Sequence, residues 1–263
     1  MATSDNSLQM ILFGTSAGMP SVDRDNTALG IWDGRDAVLI DSSASPFRKL
    51  LQSGIDPGRV RGVVLTHRHI DHCYGLPSLV HSLYLFGRRL PLKLWAPPEA
   101  DTLIRSMISI HLGGRTRLPF PLQLRLIPAR RRHRLYCGRG FVVESCPVDH
   151  GPPTVAVRVT SLSSGKRIVY SSDTSPCESL ARFARGVDLL VMEATFLHPL
   201  PGGKGRGHTT AQEAGEIARS CGVKQLVLVH LREGDRGEEY AREARRAFQG
   251  PVVVGEDLMT LRP

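Results

Sequence analysis

Long hydrophobic runs are missing from the sequence, which has no apolar stretch of the roughly 18 residues that a membrane-spanning helix requires. Internal repeats and low-complexity segments are also absent. The first residues, from Met1 to Ser7, are polar and do not resemble a secretory signal. These absences argue against a membrane protein or an exported protein, so we expect no membrane partner and a cytoplasmic location.

Cysteine is scarce and unpaired in the sequence. The five cysteines are scattered and odd in number, and no two of them form a CxxC pair: Cys73, Cys137, Cys146, Cys177 and Cys221. This pattern argues against a disulfide framework and against a zinc site made of thiolates. We therefore expect buried free thiols, and we expect Cys73 to serve in packing rather than in metal binding.

The size and charge of the chain limit what it can be. Its 263 residues, 41% of them hydrophobic, predict one α/β domain over residues 1–263. The net charge of +9 favours a polyanionic partner, such as nucleic acid or a phosphorylated metabolite. Because an arginine-rich composition can also reflect genome base bias, the charge favours phosphate-containing substrates without selecting one.

Histidines and a carboxylate are concentrated behind one apolar strand. Residues 60–65 predict a buried strand, which is followed at once by His67, His69, Asp71 and His72. Imidazole nitrogen and carboxylate oxygen together suit zinc, and manganese or iron fit the same ligands. The alternative is a polar loop that happens to be rich in histidine, but several buried and unsatisfied imidazoles would be costly.

The remaining chain alternates between strand and helix patterns. Further strands are predicted over residues 9–13, 27–32, 37–40, 92–96, 141–148, 155–159, 167–171, 187–192 and 226–229. A helix is predicted after Ser45, with Pro46 in its first turn and Gly54 beyond its end, and others over 74–86, 99–110 and 211–221. Residues 115–140 predict a strand and a hairpin, with the basic run Arg130–Arg134 at an exposed tip.

Several predicted strands end at a polar side chain that could bind or react. Besides the histidine-rich loop, these side chains are His150, Asp173, Glu193 and His230. Functional residues of α/β sheets gather at the carboxyl ends of the strands, because the loops there are free to vary while the sheet stays rigid. We therefore expect one composite site.

The run from His67 to His72 resembles the HxHxDH signature of the metallo-β-lactamase superfamily, and Gly75-Leu76-Pro77 resembles its ribonuclease Z branch. The similarity extends from the turn at Gly14 to Asp257-Leu258-Met259. It implies an αββα sandwich, where periodicity alone indicates only a mixed α/β fold. It also implies two bound metal ions, with Zn²⁺ favoured and Mn²⁺ or Fe²⁺ as alternatives. One ion would bind His67, His69 and His150, the other Asp71, His72 and His230, and Asp173 would bridge them.

Two further segments resemble ribonuclease Z. These are Met192-Glu193-Ala194-Thr195-Phe196 and Gly207-His208-Thr209-Thr210-Ala211. By this resemblance, a hydroxide between the metals attacks the substrate, and His208, held by Glu193, protonates the leaving oxygen. Asp71 would also accept a proton from the attacking water.

Candidate phosphate ligands lie close to His208 in the sequence. Thr210 and Glu213 predict a capping box, which would place the first amides of the next helix near a substrate phosphate. Lys204 and Arg206 lie in a glycine-rich loop and either clamp phosphate or remain solvated.

Three functions are compatible with these residues. The first is a phosphodiesterase acting on RNA ends, including precursor tRNA, or on smaller nucleotides. The second is an acyl hydrolase that opens a lactone, lactam or thioester, and the third is a non-catalytic nucleic-acid-binding protein. Ribonuclease Z carries a long tRNA-binding arm, often between its third histidine region and the bridging aspartate, but here a predicted hairpin fills the interval from His150 to Asp173. A homodimer is expected by analogy alone.

Overall fold

Two mixed sheets form the centre of the structure, a computed structural model that describes residues 7–112, 118–203, 205 and 207–263. The strands of the first sheet are β1 (Gln9–Gly14), β2 (Ala28–Trp32), β3 (Ala37–Ile40), β4 (Val60–Val64), β5 (Leu92–Ala96), β6 (Leu122–Leu126) and β14 (Thr260–Leu261). Their order across the sheet is β14-β1-β2-β3-β4-β5-β6. Strands β3 to β6 run parallel, so their carboxyl ends meet at one edge.

The second sheet has the order β13-β12-β11-β10-β9-β8-β7. Its strands are β7 (His133–Cys137), β8 (Phe141–Val148), β9 (Thr154–Ser161), β10 (Arg167–Tyr170), β11 (Leu189–Glu193), β12 (Gln225–Val229) and β13 (Val252–Val254). Strands β10 to β13 are parallel to one another. Strand β8 runs in the same direction as β10, because β8 and β10 are both antiparallel to β9. The ends of β8, β10, β11 and β12 therefore share one edge.

Helices cover the outer face of each sheet. They are α1 (Pro46–Gln52), α2 (Leu76–Leu85), α3 (Asp101–Leu112), α4 (Glu178–Phe183), α5 (Ala211–Cys221) and α6 (Gly237–Ala247). Alternate residues of a strand serve two cores, as in β3, where Val38 and Ile40 face the other sheet and Leu39 faces the helices. The central core and the two outer cores confirm the predicted αββα sandwich.

The helix boundaries predicted from the sequence are confirmed in part. Pro46 begins α1 and Gly54 lies beyond its end at φ 69°, as predicted, but the Ser45 side chain makes no capping hydrogen bond. The helix predicted over 99–110 begins at Asp101 after a short 3₁₀ turn. Glycines 113 and 114, whose position in the sequence predicts the end of this helix, lie outside the described residues.

The prediction for residues 115–140 was wrong in one respect. Strand β6 pairs with β5 in the first sheet, whereas β7 pairs with β8 in the second. The hairpin is therefore β7–β8, and the run Arg130–Arg134 is not at its tip. Residues 130–132 of this run belong to the crossover that connects the sheets, and His133 and Arg134 begin β7.

All five cysteines are free, and Cys73, Cys146 and Cys221 are buried, while Cys137 is exposed and Cys177 half-buried. The expected packing role of Cys73 agrees with its 1% exposure in the core under the first sheet. Among the described residues, no helix has the length and apolarity needed to cross a membrane.

Candidate metal centre

The first sheet delivers four side chains through the loop that follows β4. His67 is fully buried directly behind the strand, and a 3₁₀ turn over Ile70–His72 then points His72 inward. His69 lies at the exposed rim of the loop, and Asp71 is half-buried. The tight turn brings ligands that are close in sequence towards one point from two sides.

The second sheet supplies the other side chains from three strand ends. His150 follows β8, Asp173 follows β10 and His230 follows β12. Asp173 lies in the middle of the cluster: its Oδ2 atom is 3.6 Å from His67 Nε2 and 3.4 Å from His72 Nε2, and its Oδ1 atom is 3.4 Å from His230 Nε2. The expected meeting of strand ends at one composite site is therefore observed.

Three overlapping groups of candidate ligands have their ligand atoms within 4.8 Å of one another. The first is His67, His69, His150 and Asp173, the second is Asp71, His72 and His230, and the third is Asp173, His208 and His230. The first two groups contain the two ligand sets that the sequence resemblance implies, and the third adds His208.

Four buried polar atoms of the cluster have no hydrogen-bond partner among the described residues. They are Nε2 of His67, His72 and His230, and Oδ1 of Asp173. An unsatisfied buried polar group costs about 1–3 kcal/mol, so four of them at one point require an external partner. Nitrogen and carboxylate donors converging in this way fit a divalent cation.

The outward-facing nitrogen of each buried imidazole is held by a hydrogen bond. His72 Nδ1 donates to Asp41 Oδ2 at 2.8 Å, and His230 Nδ1 donates to the hydroxyl of Thr195 at 2.8 Å. His150 Nδ1 donates to the carbonyl of Gly207 at 2.6 Å. Such partners fix the tautomer that leaves Nε2 free for a metal.

Asp41 and Thr195 were not assigned a role from the sequence. Asp41 directly follows β3 and has φ 62°, a left-handed conformation that Asp tolerates better than most residues and that is found at functional sites. Its position as a carboxylate directly after a buried strand is the one signal that could have found it. Thr195 has no comparable local signal.

Charge and burial act in opposite directions on the ligands. Burial lowers the pKa of His67 well below its usual value and also lowers the pKa of His69 and His150, so these rings are neutral with a lone pair to offer. Burial would raise the pKa of Asp173, but His230 and His72 outweigh it and hold that pKa well below the usual range. Burial would lower the pKa of His72, but Asp173 and Asp41 outweigh it and raise that pKa well above its usual value, so a cation that binds His72 must displace a proton.

His208 and Glu193 form the pair expected from the sequence. Glu193 is buried at the end of β11, and its Oε1 atom accepts from His208 Nδ1 at 3.0 Å. Its Oε2 atom accepts from the backbone and hydroxyl of Thr195 at 3.1 and 2.7 Å. Burial would lower the pKa of His208, but the hydrogen bond and charge of Glu193 outweigh it and raise that pKa. Because the same Thr195 hydroxyl holds His230, Glu193 supports both histidines.

The structure describes only one of the three predicted phosphate ligands, Thr210. The capping box of Thr210 and Glu213 is present, but the side-chain oxygen and the backbone amide of Thr210 are both engaged with Glu213. The amide of Ala211 donates to the carbonyl of Phe196. The structure therefore does not favour a phosphate contact at Thr210. Lys204 and Arg206 lie outside the described residues.

Comparisons with known proteins agree with this geometry. A family model described as a beta-lactamase superfamily domain matches residues 36–231. The chain is 29% identical to a ribonuclease Z of Methanothermobacter thermautotrophicus, with 97% of this chain and 96% of the relative covered. It is 31% identical to a ribonuclease Z of a Bradyrhizobium species, with 94% and 97% covered.

Solved structures share the fold. A metallo-β-lactamase fold protein from Bacillus subtilis superimposes with a TM-score of 0.82 at 20% identity, over 97% of this chain and 99% of that one. The short form of human tRNase Z superimposes with a TM-score of 0.77 at 24% identity, over 96% and 98% of the two chains.

Proposed function

The chain belongs to the metallo-β-lactamase superfamily, in its ribonuclease Z-like branch, and on that premise we propose that it is a metal-dependent phosphodiesterase acting on RNA. One observation carries this proposal most strongly: a cluster of candidate metal ligands with unsatisfied buried atoms adjoins the His208–Glu193 pair. The first feature suits hydrolysis in general, and the second suits protonation of a leaving alkoxide.

Two divalent cations are proposed, with zinc favoured by the nitrogen and oxygen donors and manganese or iron as alternatives. His67, His69 and His150 would hold one, Asp71, His72 and His230 the other, and Asp173 would contact both. When bound, the cations would lower the pKa of water and offset negative charge that develops on the phosphoryl group.

His208 is the proposed general acid. Its ring lies against His150 and His230, with centroid distances of 4.9 and 5.6 Å, so it borders the space between the ligands. The carboxylate of Glu193 favours the protonated ring, which donates its proton to the leaving oxygen. Asp71 suits the additional role of proton acceptor less well, because His230 and His72 hold its pKa below the usual range in spite of burial.

The substrate class follows from the shape of the chain as well as its family. The interval from His150 to Asp173 is filled by β9 and β10, which form an antiparallel hairpin, so no arm extends from it. The alignment with the Methanothermobacter relative covers 298 positions, more than the 263 residues of this chain, so that relative carries segments this chain lacks. We propose RNA ends as the substrate, with smaller phosphodiesters as the alternative.

An acyl hydrolase and a non-catalytic binding protein fit less well. Acyl transfer has less use for a histidine held by a buried glutamate beside the leaving group, and a degenerate site would lack ligands that are present here. We propose further that residues 1–263 form a single hydrolase domain. The cytoplasmic location remains a prediction.

A homodimer is proposed through the outer face of α1 and α2. Exposed apolar side chains are grouped there: Leu51 at 56%, Leu85 at 68% and Phe86 at 51% exposure. Phe86 packs edge-on against Phe47 at 5.7 Å, which joins the two helices into one surface. A contiguous apolar surface of this kind marks an interaction site.

The test uses metal-reconstituted protein with three substrates: precursor tRNA carrying a 3′ trailer, bis(4-nitrophenyl) phosphate, and a panel of lactones and thioesters. We expect cleavage of the trailer and turnover of the diester. Activity on carboxylic esters alone would contradict the proposal, and activity on the small diester without trailer cleavage would restrict it to compact substrates. His198→Ala, which changes an exposed histidine outside the cluster, serves as the control for ligand variants.

A further inference from the structure

The crossover between the two sheets carries three exposed arginines, Arg130, Arg131 and Arg132, at the edge where the metal cluster lies, and the exposed Arg134 follows in β7. It leaves β6 at the carboxyl edge of the parallel strands β4 to β6, which is the edge that delivers His67. It enters β7 opposite Ser145 of β8, close to the end that delivers His150. Residues 130–132 therefore lie at the rim of the site.

The backbone of this crossover is anchored at both sheets. The amide of Ile127 donates to Ala96 at 2.9 Å, and His133 Nε2 donates to the carbonyl of Pro128 at 3.1 Å. The guanidinium of Arg132 lies 5.3 Å above the ring of Phe183, a cation–π contact. These contacts hold the basic run in one place, so its charges are presented by a fixed segment.

The arginines of this run have no acidic partner. In the part of the chain that the structure describes, no carboxylate lies within 4 Å of Arg130, Arg131, Arg132 or Arg134, although Arg158 nearby pairs with Glu144 at 2.8 Å. Exposed guanidinium groups without carboxylates are free to bind an external anion, and their planar geometry suits phosphate.

A groove of about 700 Å³ opens beside this run. Its walls are Pro98, Pro128, Ala129, Pro153, the carboxylate-bearing Glu99, and the two arginines Arg130 and Arg131. Pro153 lies three residues after His150, a span of at most about 10 Å of chain. The groove is therefore separate from the ligand cluster but within reach of groups that flank a substrate bound there.

We propose that this groove, with Arg130 and Arg131, binds backbone phosphates of the RNA substrate next to the one that is cleaved. The inference rests on the proposed function and deepens it, because a groove outside the reaction centre benefits only a substrate that extends beyond one phosphodiester. The proline walls offer flat apolar surface for ribose and bases, and the single carboxylate of Glu99 is outweighed by the two adjacent arginines.

The test compares two double charge reversals. Arg130→Glu with Arg131→Glu alters the groove, whereas Arg89→Glu with Arg139→Glu makes the same change in net charge at exposed positions before β5 and β8, at the opposite edge of the sheets. Steady-state kinetics are measured with precursor tRNA and with bis(4-nitrophenyl) phosphate over a range of salt. Binding of fluorescein-labelled precursor tRNA is measured by anisotropy in parallel.

The groove variant should raise KM for the precursor at least tenfold with little change in kcat, and leave the small diester within twofold of wild type. The slope of log KM against log salt concentration should fall by about 1.4, because two phosphate contacts of about 0.7 each are lost. Arg130→Lys with Arg131→Lys keeps the charge and should stay within about threefold of wild type.

An unchanged KM for precursor tRNA in the groove variant, or an equal rise of this KM in the control variant, would refute RNA binding by the groove. The anisotropy measurement separates this inference from the proposed function. If wild type binds RNA without hydrolysing any substrate and the groove variant loses this binding, the groove inference holds and the proposed activity is wrong. If wild type hydrolyses the diester but does not bind RNA, the groove inference is wrong and a phosphodiesterase activity remains.

Discussion

Replacement of Asp41 by Asn tests whether the hydrogen bond behind His72 determines metal binding. Asp41 Oδ2 accepts from His72 Nδ1 at 2.8 Å, and Oδ1 accepts from the amide and the hydroxyl of Thr66 at 2.8 and 3.0 Å. Asn keeps the shape and tolerates the φ of 62°, but one of its two positions becomes an amide donor. If the side-chain oxygen of the introduced Asn accepts from Thr66, the side-chain NH₂ group of this Asn faces His72 Nδ1. His72 Nδ1 must then accept a hydrogen bond from this NH₂ group.

The consequence for His72 is a change of tautomer. If Nδ1 accepts a hydrogen bond, the proton moves to Nε2, the buried atom that now has no partner and that faces Asp71 and Asp173 at 3.4 Å. A protonated Nε2 cannot bind a cation. Losing such an outer partner typically weakens metal affinity by 10- to 100-fold, which corresponds to about 1.4–2.7 kcal/mol.

The assay is competition for zinc with a chromophoric chelator, combined with diester hydrolysis at limiting and saturating metal. We expect weaker binding and an activity loss that excess metal partly restores. Asp33→Asn is the matched control, because Asp33 is also buried but, among the described residues, accepts only from the amides of Arg35 and Asp36, which Asn also satisfies. Metal affinity of the Asp41 variant within twofold of wild type would show that this hydrogen bond does not set the tautomer.

Three further predictions concern the ligands, the helical layer and acid stability. His69→Ala should lose metal and nearly all activity, whereas His208→Ala should keep its metal content, measured by atomic emission, and lose about 10²- to 10⁴-fold in kcat; equal metal loss in both would contradict the assignment of His208. Gly215→Ala would place a Cβ 2.3 Å from the carbonyl oxygen of Ala244, so urea unfolding should show about 1–3 kcal/mol of destabilisation, and wild-type stability would show that α5 and α6 can separate without cost. Burial would raise the pKa of Asp36, but hydrogen bonds from Tyr136 and Arg61 outweigh burial and lower it. The ionised Asp36 therefore stabilises the folded state above the unfolded pKa near 4, and this stabilisation is lost as pH falls through the folded pKa. Asp36→Asn should therefore destabilise the fold at neutral pH and flatten the dependence of Tm on pH in acid; an unchanged slope would exclude this contribution.

Local patterns predicted the strands and the places where the chain becomes reactive. Buried strands such as β4 and β12 are short, apolar and β-branched, and each is followed at once by a polar group, so both the strand and its end are visible in the sequence. The geometry of a parallel sheet then requires these ends to meet. The convergence of His67, Asp173 and His230 could be expected for that reason.

Partner choice between strands could not be predicted in the same way. The alternation of Leu122, Leu124 and Leu126 shows a strand but contains no information on which sheet takes it. The assignment of β6 and β7 to different sheets depends on long-range pairing, and the position of the basic run Arg130–Arg134 depends on that assignment. The groove beside these arginines was therefore invisible to sequence analysis.

Helix α6 was missed because its buried face has one large apolar residue, Tyr240, beside Ala241, Glu243 and Ala244. Ala241 and Ala244 contribute little to a hydrophobic pattern, yet they allow close approach to α5, where Gly215 lies against the backbone of Ala244. The sequence of this helix is otherwise strongly charged. Close packing of small side chains is a tertiary feature, so the periodicity that identifies larger apolar faces does not detect it.

The division of the ligands between the two sheets links metal binding to the fold as a whole. His67, His69, Asp71 and His72 come from the first sheet, and His150, Asp173 and His230 come from the second. Neither sheet alone can assemble the site, and four buried atoms stay unsatisfied when the sheets are packed without a cation. A cation that binds these atoms must therefore stabilise the packing of one sheet on the other, because it binds only the state in which both are in place. The energetic cost of the unsatisfied cluster is thus part of the free energy that selects a metal-loaded protein.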